Sequence, residues 1–383
     1  MGSWMTMAEA CERLGVRPQT IYAYVSRGKL ETMADPADSR RSLYRSDDVT
    51  GLARRKQAGR KHETLAANTL FGAEPSIPTA VSAFLRHQLY YRGQDAVALA
   101  AEAPLEAVAQ LLWEAEQPVD FASAAPPAIR TPGRAAAFTL LAALAANGHS
   151  THGRARRVLH LEGQTLVGQL ARAFGAQPGV APLHRRFAQG WQLAARHADL
   201  LRTAMVLLAD HELTSSAFAT RIAASTGASL PACLLAGLTT LSGPLHGDAS
   251  GRVQALFNEV ERQGEEQVLA HHLSTGQPLA GFGHHLYPDG DPRAAALLAR
   301  FTPPKALARF IDRAAQLTGQ PPNIDVALAA MAAHLKLPAD AIFGLFATAR
   351  SVGLLAHCLE QLSVAQVIRP RGRYVGPAPA PSA

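Results

Sequence analysis

Beyond about residue 76 the apolar residues recur at i, i+3, i+4 and i+7, the period of one helical face. LEAVAQLLWEA, AAAFTLLAALAANG, GQTLVGQLARAFG, LLRTAMVLLADHEL and VALAAMAAHLKLP all follow this pattern, with Gly and Pro between them. Alternating β-branched runs are scarce, so the body is predicted to be all-α, and its alanine content favours close helix packing. No repeat of fixed period is present. The first sixty residues read differently. Thr6 precedes MAEACERL with Glu9 at capping-box spacing, Gly15 stops that helix, and Pro18 opens a second, PQTIYAYVSRG. Two short helices across a tight LGVRP turn describe a helix-turn-helix. Two strands around DPADSRR and a further helix from Asp47 are expected to follow. Periodicity then lapses through RRKQAGRKHE and LFGAEPSIP. The predicted organisation is a winged module over 1–62, a linker over 63–75, a large helical domain over 76–250 plus 345–383, and a small one over 251–344.

With 383 residues, 48% of them hydrophobic and 17% charged, the chain is globular rather than disordered. The longest apolar run noted, around Ala135 to Ala146, is alanine-rich and broken by Gly148, and no secretory h-region is visible. Cys11, Cys233 and Cys358 are scattered and odd in number, which suits a reducing, cytoplasmic setting without a disulfide frame. The net charge of +7 is unevenly spread: residues 1–62 hold 12 Lys+Arg against 7 Asp+Glu. That basic front is what a nucleic-acid partner would require.

Three patches carry candidate chemistry: GPLHGD (243–248), GFGHHLYPDGDPR (281–293) and NID (323–325). They place imidazoles, a carboxylate and a DPR arginine in turns between apolar helices, where catalytic side chains usually sit. Each is weak alone, since a single His is more often packed or solvated and Asp325 could simply cap a helix. His87, His152, His184, His271 and His334 are read in that plainer way. No pair of potential ligands has metal spacing, and HELTS is not HExxH, so no metal is expected.

LGVRPQTIYAYVSRGKL with SRRSLYRSDDV resembles the MerR/excisionase type of winged helix-turn-helix. That resemblance would offer Gln19, Thr20 and Tyr22 to base edges. Arg17, Arg27, Lys29, Arg40, Arg41 and Arg45 would meet phosphates. The body resembles the citrate synthase family, in one order, through YYRGQDAVALA, ADHELTSSAFATRIAASTGAS, GPLHGDAS, GFGHHLYPDGDPRA, PNIDVALAAMAAHLKLPADAIFGLFATARSVGLLAHCLEQ and IRPRGRYVG. The resemblance implies a mainly α, two-domain helical fold. It also implies condensation of an acyl-CoA, acetyl-CoA foremost, with oxaloacetate, and no permanently bound cofactor. By position, Asp325 would be the base, His246 the donor to the thioester oxygen, and His284 the acid at the ketone. His211, Arg293, Arg350 and Arg369 would hold oxaloacetate, Arg369 from the neighbouring subunit of a homodimer. A weakly acidic α-proton needs such a base and donor acting together.

Several positions depart from the family pattern. Asp248 replaces a glycine two residues after His246, where its carboxylate would raise the histidine's pKa or shift its partner. Ser250 replaces an amide, and His285 and Pro288 stand where cations are expected. These changes and the basic module favour an alternative, a DNA-binding regulator whose body senses citrate, oxaloacetate or acyl-CoA.

Overall fold

A computed structural model describes residues 4–26, 29–36, 38–52, 77–122, 131–364, 366–370 and 375–376, with the side chains of Ser39 and Arg40 excluded. Arg27, the Arg40 side chain, the linker over 63–75 and part of IRPRGRYVG lie outside the described residues. The chain forms two compact units, Met1–Ile77 with Arg369–Ala383, and Pro78–Ile368.

The first unit contains β1 (Trp4–Met5), α1 (Met7–Leu14), α2 (Pro18–Ser26), β2 (Thr32–Asp35), β3 (Asp38–Arg45) and a helical segment, α3, over 46–52. The capping box forms as its sequence requires: Thr6 N–H donates to Glu9 Oε2 at 2.8 Å, and Glu9 N–H to Thr6 Oγ1 at 3.3 Å. The strands are antiparallel in the order β1-β3-β2, with Thr32 opposite Tyr44 and Met33 opposite Leu43. Ala10, Leu14, Ile21, Leu30, Tyr44 and Val49 form its small core.

The second unit is helical, but not wholly so. The periodicity predicts helices throughout, whereas residues 82–95 form a meander of β4 (Ser82–Leu85), β5 (Gln88–Tyr91) and β6 (Gln94–Asp95). Strands of two to four residues are too short to print an alternating signature. Arg86 and His87, at φ 51° and 61°, close the first hairpin in a primed turn. Buried Tyr91 ties the sheet to the helices through its hydroxyl, which donates to the Val206 carbonyl at 3.0 Å.

Helices α4 (Ala96–Glu102) through α9 (Ala198–Leu208), α10 (Ser215–Ser225), α11 (Leu230–Leu241) and α17 (Ala341–Ser363) build the main core. α17 is long and apolar enough to cross a membrane by composition, yet it is buried inside the protein along its apolar length. A second core joins α12 (Ala249–Gln263), α13 (Glu265–Thr275) and α15 (Lys305–Thr318). α16 (Ile324–Leu335) is shared: Ile324, Ala327, Leu328 and Met331 face the main core, while Val326, Ala329 and Ala330 face the second. A helix apolar on every side has to be enclosed on every side. Its first turn, with Asp325, is therefore held between the two cores.

Candidate active site

His246 sits in the turn joining α11 to α12. Gly247 is required there, because a Cβ would lie 2.5 Å from the Leu241 side chain. His246 Nε2 lies 2.8 Å from the hydroxyl of Ser216, a fully buried residue of α10, whose oxygen is in turn 3.1 Å from that of Thr214. Burial, aided by the Arg350 charge, lowers the imidazole pKa to about 4. The expected effect of Asp248 on this histidine is not what the structure shows. Asp248 is matched by a two-pronged contact from Arg134, Nη1 to Oδ2 at 3.0 Å and Nη2 to Oδ1 at 2.8 Å. A neutralised carboxylate exerts little pull, and desolvation dominates.

The second patch is laced to the third. Gly283 N–H donates to Pro321 O at 2.8 Å, Asn323 N–H to Gly281 O at 2.9 Å, and Asn323 Nδ2 to Gly283 O at 3.3 Å. Gly283 itself has φ 79°, and a side chain there would collide with Gln320. In this loop the Leu286 N–H donates to His284 Nδ1 at 3.2 Å. A neutral ring accepting at Nδ1 carries its proton on Nε2, so His284 is fixed as a donor through that atom. Burial and the Arg293 charge lower its pKa to about 4. His284 lies 5.7 Å, ring centre to ring centre, from His211, and Tyr287 joins them with its hydroxyl 3.0 Å from His211 Nε2. His211 is the most enclosed of the three imidazoles, and burial beside Arg293 and Arg350 pushes its pKa well down.

Asn323 caps α16 by accepting from Asp325 N–H at 2.9 Å, which frees the Asp325 carboxylate from capping. That carboxylate accepts instead from Ser250 Oγ at 2.6 Å. Burial raises its pKa; the Ser250 hydrogen bond and the Arg293 charge oppose the rise. Asp291 anchors the surroundings: Oδ2 accepts from Ile324 N–H at 3.0 Å and from Arg293 Nη2 at 2.8 Å, and Oδ1 from Arg293 Nε at 3.0 Å. Arg350 donates from Nε to Leu208 O at 2.8 Å. Among the described residues nothing accepts from Nη1 of Arg293 or from either terminal nitrogen of Arg350, although both guanidinium groups are almost fully buried. These nitrogens are not sealed from solvent, so they stay available to an anion.

Contacts thus draw His211, His284 and Arg293 together around Tyr287, and join Asp325 to them through Ile324 and Asp291. The Arg350 charge bears on His211, His246 and Asp325 alike. Arg369 belongs to the other compact unit, where it is exposed. In that unit Arg17, Gln19, Tyr22 and Lys29 are exposed and Thr20 is half-buried. Arg41 pairs with Asp38 at 3.3 Å and Arg45 with Glu31 at 2.7 Å. Exposed pairs of this kind are weak and can yield to phosphate. Ser216, Tyr287, Asp291 and Arg134 escaped the sequence reading. Ser216, Tyr287 and Arg134 have partners 30 to 206 residues away along the chain, with no local spacing to mark them, whereas Asp291 is paired with Arg293 inside the DPR motif itself.

A family model described as the citrate synthase C-terminal domain matches residues 122–371. The chain belongs to the citrate synthase family. A helix-turn-helix domain model matches residues 4–56. A putative citrate synthase 2 of Mycobacterium bovis is 35% identical over 209 residues, 51% of this chain and 56% of that protein. Citrate synthase 2 of Bacillus subtilis is 32% identical over 200 residues, 47% of this chain and 51% of its own length. The chain spans about half the length of the curated relatives it matches. The citrate synthase of Thermoplasma acidophilum, solved as a ternary complex with carboxymethyl coenzyme A and oxaloacetate, has the same fold. Its TM-score is 0.69 at 22% identity, covering 83% of this chain and 98% of that one. The citrate synthase fold expected from the body is the fold observed.

Proposed function

We propose that the chain condenses an acyl-CoA, acetyl-CoA foremost, with oxaloacetate to yield citrate and CoA, as an acyltransferase that converts acyl to alkyl on transfer. One observation carries the reading. A buried carboxylate of raised pKa, Asp325, follows Ile324, whose N–H is held by the Asp291 that grips Arg293, an arginine with an unfilled donor, set beside imidazoles kept neutral by burial. That combination suits deprotonation beside a carbonyl in the presence of a dianionic partner.

In this reading the Asp325 carboxylate removes the α-proton of the thioester while an N–H of His246 donates to the thioester oxygen, giving the enol. The enol carbon attacks the ketone carbon of oxaloacetate, the enol proton returns to His246 as the thioester carbonyl re-forms, and the Nε2 proton of His284 passes to the ketone oxygen, which becomes the hydroxyl. Water then cleaves the thioester, releasing citrate and CoA. His211, the remaining Nη1 of Arg293 and the two terminal nitrogens of Arg350 orient the two carboxylates. Arg369 of a neighbouring subunit in a homodimer completes the site. The chain needs no permanently bound cofactor. The chemistry fits a cytoplasmic enzyme of the tricarboxylic acid cycle, with propionyl-CoA and 2-methylcitrate as the near variant. A panel of acyl-CoA thioesters against 2-oxo acids tests the reading: free thiol should appear fastest with acetyl-CoA plus oxaloacetate, and a panel with no turnover refutes it.

The helix-turn-helix match favours a second role, DNA binding through Arg17, Gln19, Thr20, Tyr22, Lys29, Arg41 and Arg45, with Arg27 and Arg40 assigned by sequence alone. Gel shifts on genomic fragments at two salt concentrations test it, because phosphate contacts weaken steeply as salt rises. A complete absence of shift at the lower salt rules it out.

A further inference from the structure

Asp248 lies two residues after His246 and two before Ser250, the residue that bonds Asp325. The turn it occupies therefore joins the proposed enol donor to the hydroxyl that holds the proposed base. Arg134, the first residue of α6 (Arg134–Ala146), grips both Asp248 oxygens at 3.0 and 2.8 Å. The arginine is itself held from several sides. Its backbone N–H donates to Asp340 Oδ2 at 3.2 Å, its Nη2 lies 3.8 Å from Asp340 Oδ1, and its guanidinium lies 4.0 Å over the Phe343 ring. Asp340, the residue before α17, adopts φ 61°, a conformation few non-glycine residues take. Phe343 belongs to the main core, whereas α12, which starts directly after Asp248, feeds the second. The fork thus sits where the chain passes from one core to the other.

We propose that Arg134 and Asp248 form a positioning clamp that pins the 243–250 turn to the main core and sets the placement of His246 relative to the Ser250–Asp325 pair. The proposal rests on the condensation proposed above. It assigns Arg134 no contact with substrate. A planar two-pronged contact fixes direction as well as distance, so a point charge at position 134 does not substitute for it.

The test is a cycle of Arg134→Gln, Asp248→Asn and the double variant, with Arg134→Lys added, each assayed for thiol release and for thermal unfolding. Small misplacements of reacting groups are costly, so kcat should fall about 10- to 100-fold in each single variant. KM for oxaloacetate should stay within about twofold, because its arginines are untouched. The double variant should be no worse than the worse single, as expected for one shared interaction. Arg134→Lys keeps the charge and the fold but loses the fork, and it should share the kcat loss. Variants that keep wild-type kcat, single losses that multiply in the double, or a change in Tm or KM without a change in kcat overturn the clamp. A wild type without turnover fails the condensation reading itself, and the clamp with it.

Discussion

Replacing Ser216 with alanine removes one oxygen from a completely buried site and leaves the backbone of α10 unchanged. That oxygen lies 2.8 Å from His246 Nε2 and 3.1 Å from the Thr214 hydroxyl. The Thr214–Ser216 contact admits either direction; in the arrangement where Thr214 donates, the Ser216 hydroxyl donates to Nε2 and the neutral ring presents its N–H at Nδ1. In that arrangement the hydroxyl favours one of two tautomers. A net hydrogen bond is worth about 0.5–1.5 kcal/mol, which biases the tautomers by about two- to tenfold. Ser216→Ala should lower kcat for thiol release by about that factor and leave KM for oxaloacetate unchanged. His246→Ala, which deletes the donor itself, should lose about 10²- to 10³-fold. Equal kcat in Ser216→Ala and wild type, or an effect on KM alone, would refute the assignment of this hydroxyl.

Burial raises the Asp325 pKa, so its ionised form at neutral pH is held against the preference of the folded state. Asp325→Asn should raise Tm while lowering turnover by at least about 10²-fold; a lowered Tm contradicts this. His184, His246 and His284 have folded pKa values of about 4, below the ordinary imidazole value of 6.5. The unfolded chain takes up their protons first, so stability should be intact above pH 6.5 and fall as pH drops from 6.5 toward 4. Denaturant midpoints at pH 7 and 5 check this, and equal midpoints contradict it. Arg293→Lys loses the fork on Asp291 and the donor at Nη1. Hydrogen bonds to charged groups are worth about 1.5–3 kcal/mol, so KM for oxaloacetate should rise about 10- to 100-fold; a change confined to kcat argues against the role.

What the sequence made legible follows from how far each signal reaches. The capping box of α1 and the periodic helices of the body are local patterns, and they fold as read. The histidine turns stood out because Gly and Pro punctuate them; at Gly247 a Cβ would press on Leu241, and Gly283 holds a φ of 79° that L side chains rarely adopt. The strands over 82–95 were missed because their longest member has four residues. Asp248 was visible as a departure, but its effect was misjudged. Its partner, Arg134, lies 114 residues away and has no local mark. Ser250, too, was legible only as a changed residue; its bond to Asp325 spans 75 positions. Long-range polar pairs of this kind settle the electrostatics of the site, and they emerge only when the helices are packed.

The most direct measurement is thiol release by the purified full chain given acetyl-CoA and oxaloacetate, compared with Asp325→Ala under the same conditions. The account predicts robust release from the wild type that needs both substrates, and loss of nearly all of it in the variant. Release that survives in Asp325→Ala, or none from either protein, would contradict the assignment of this carboxylate as the base.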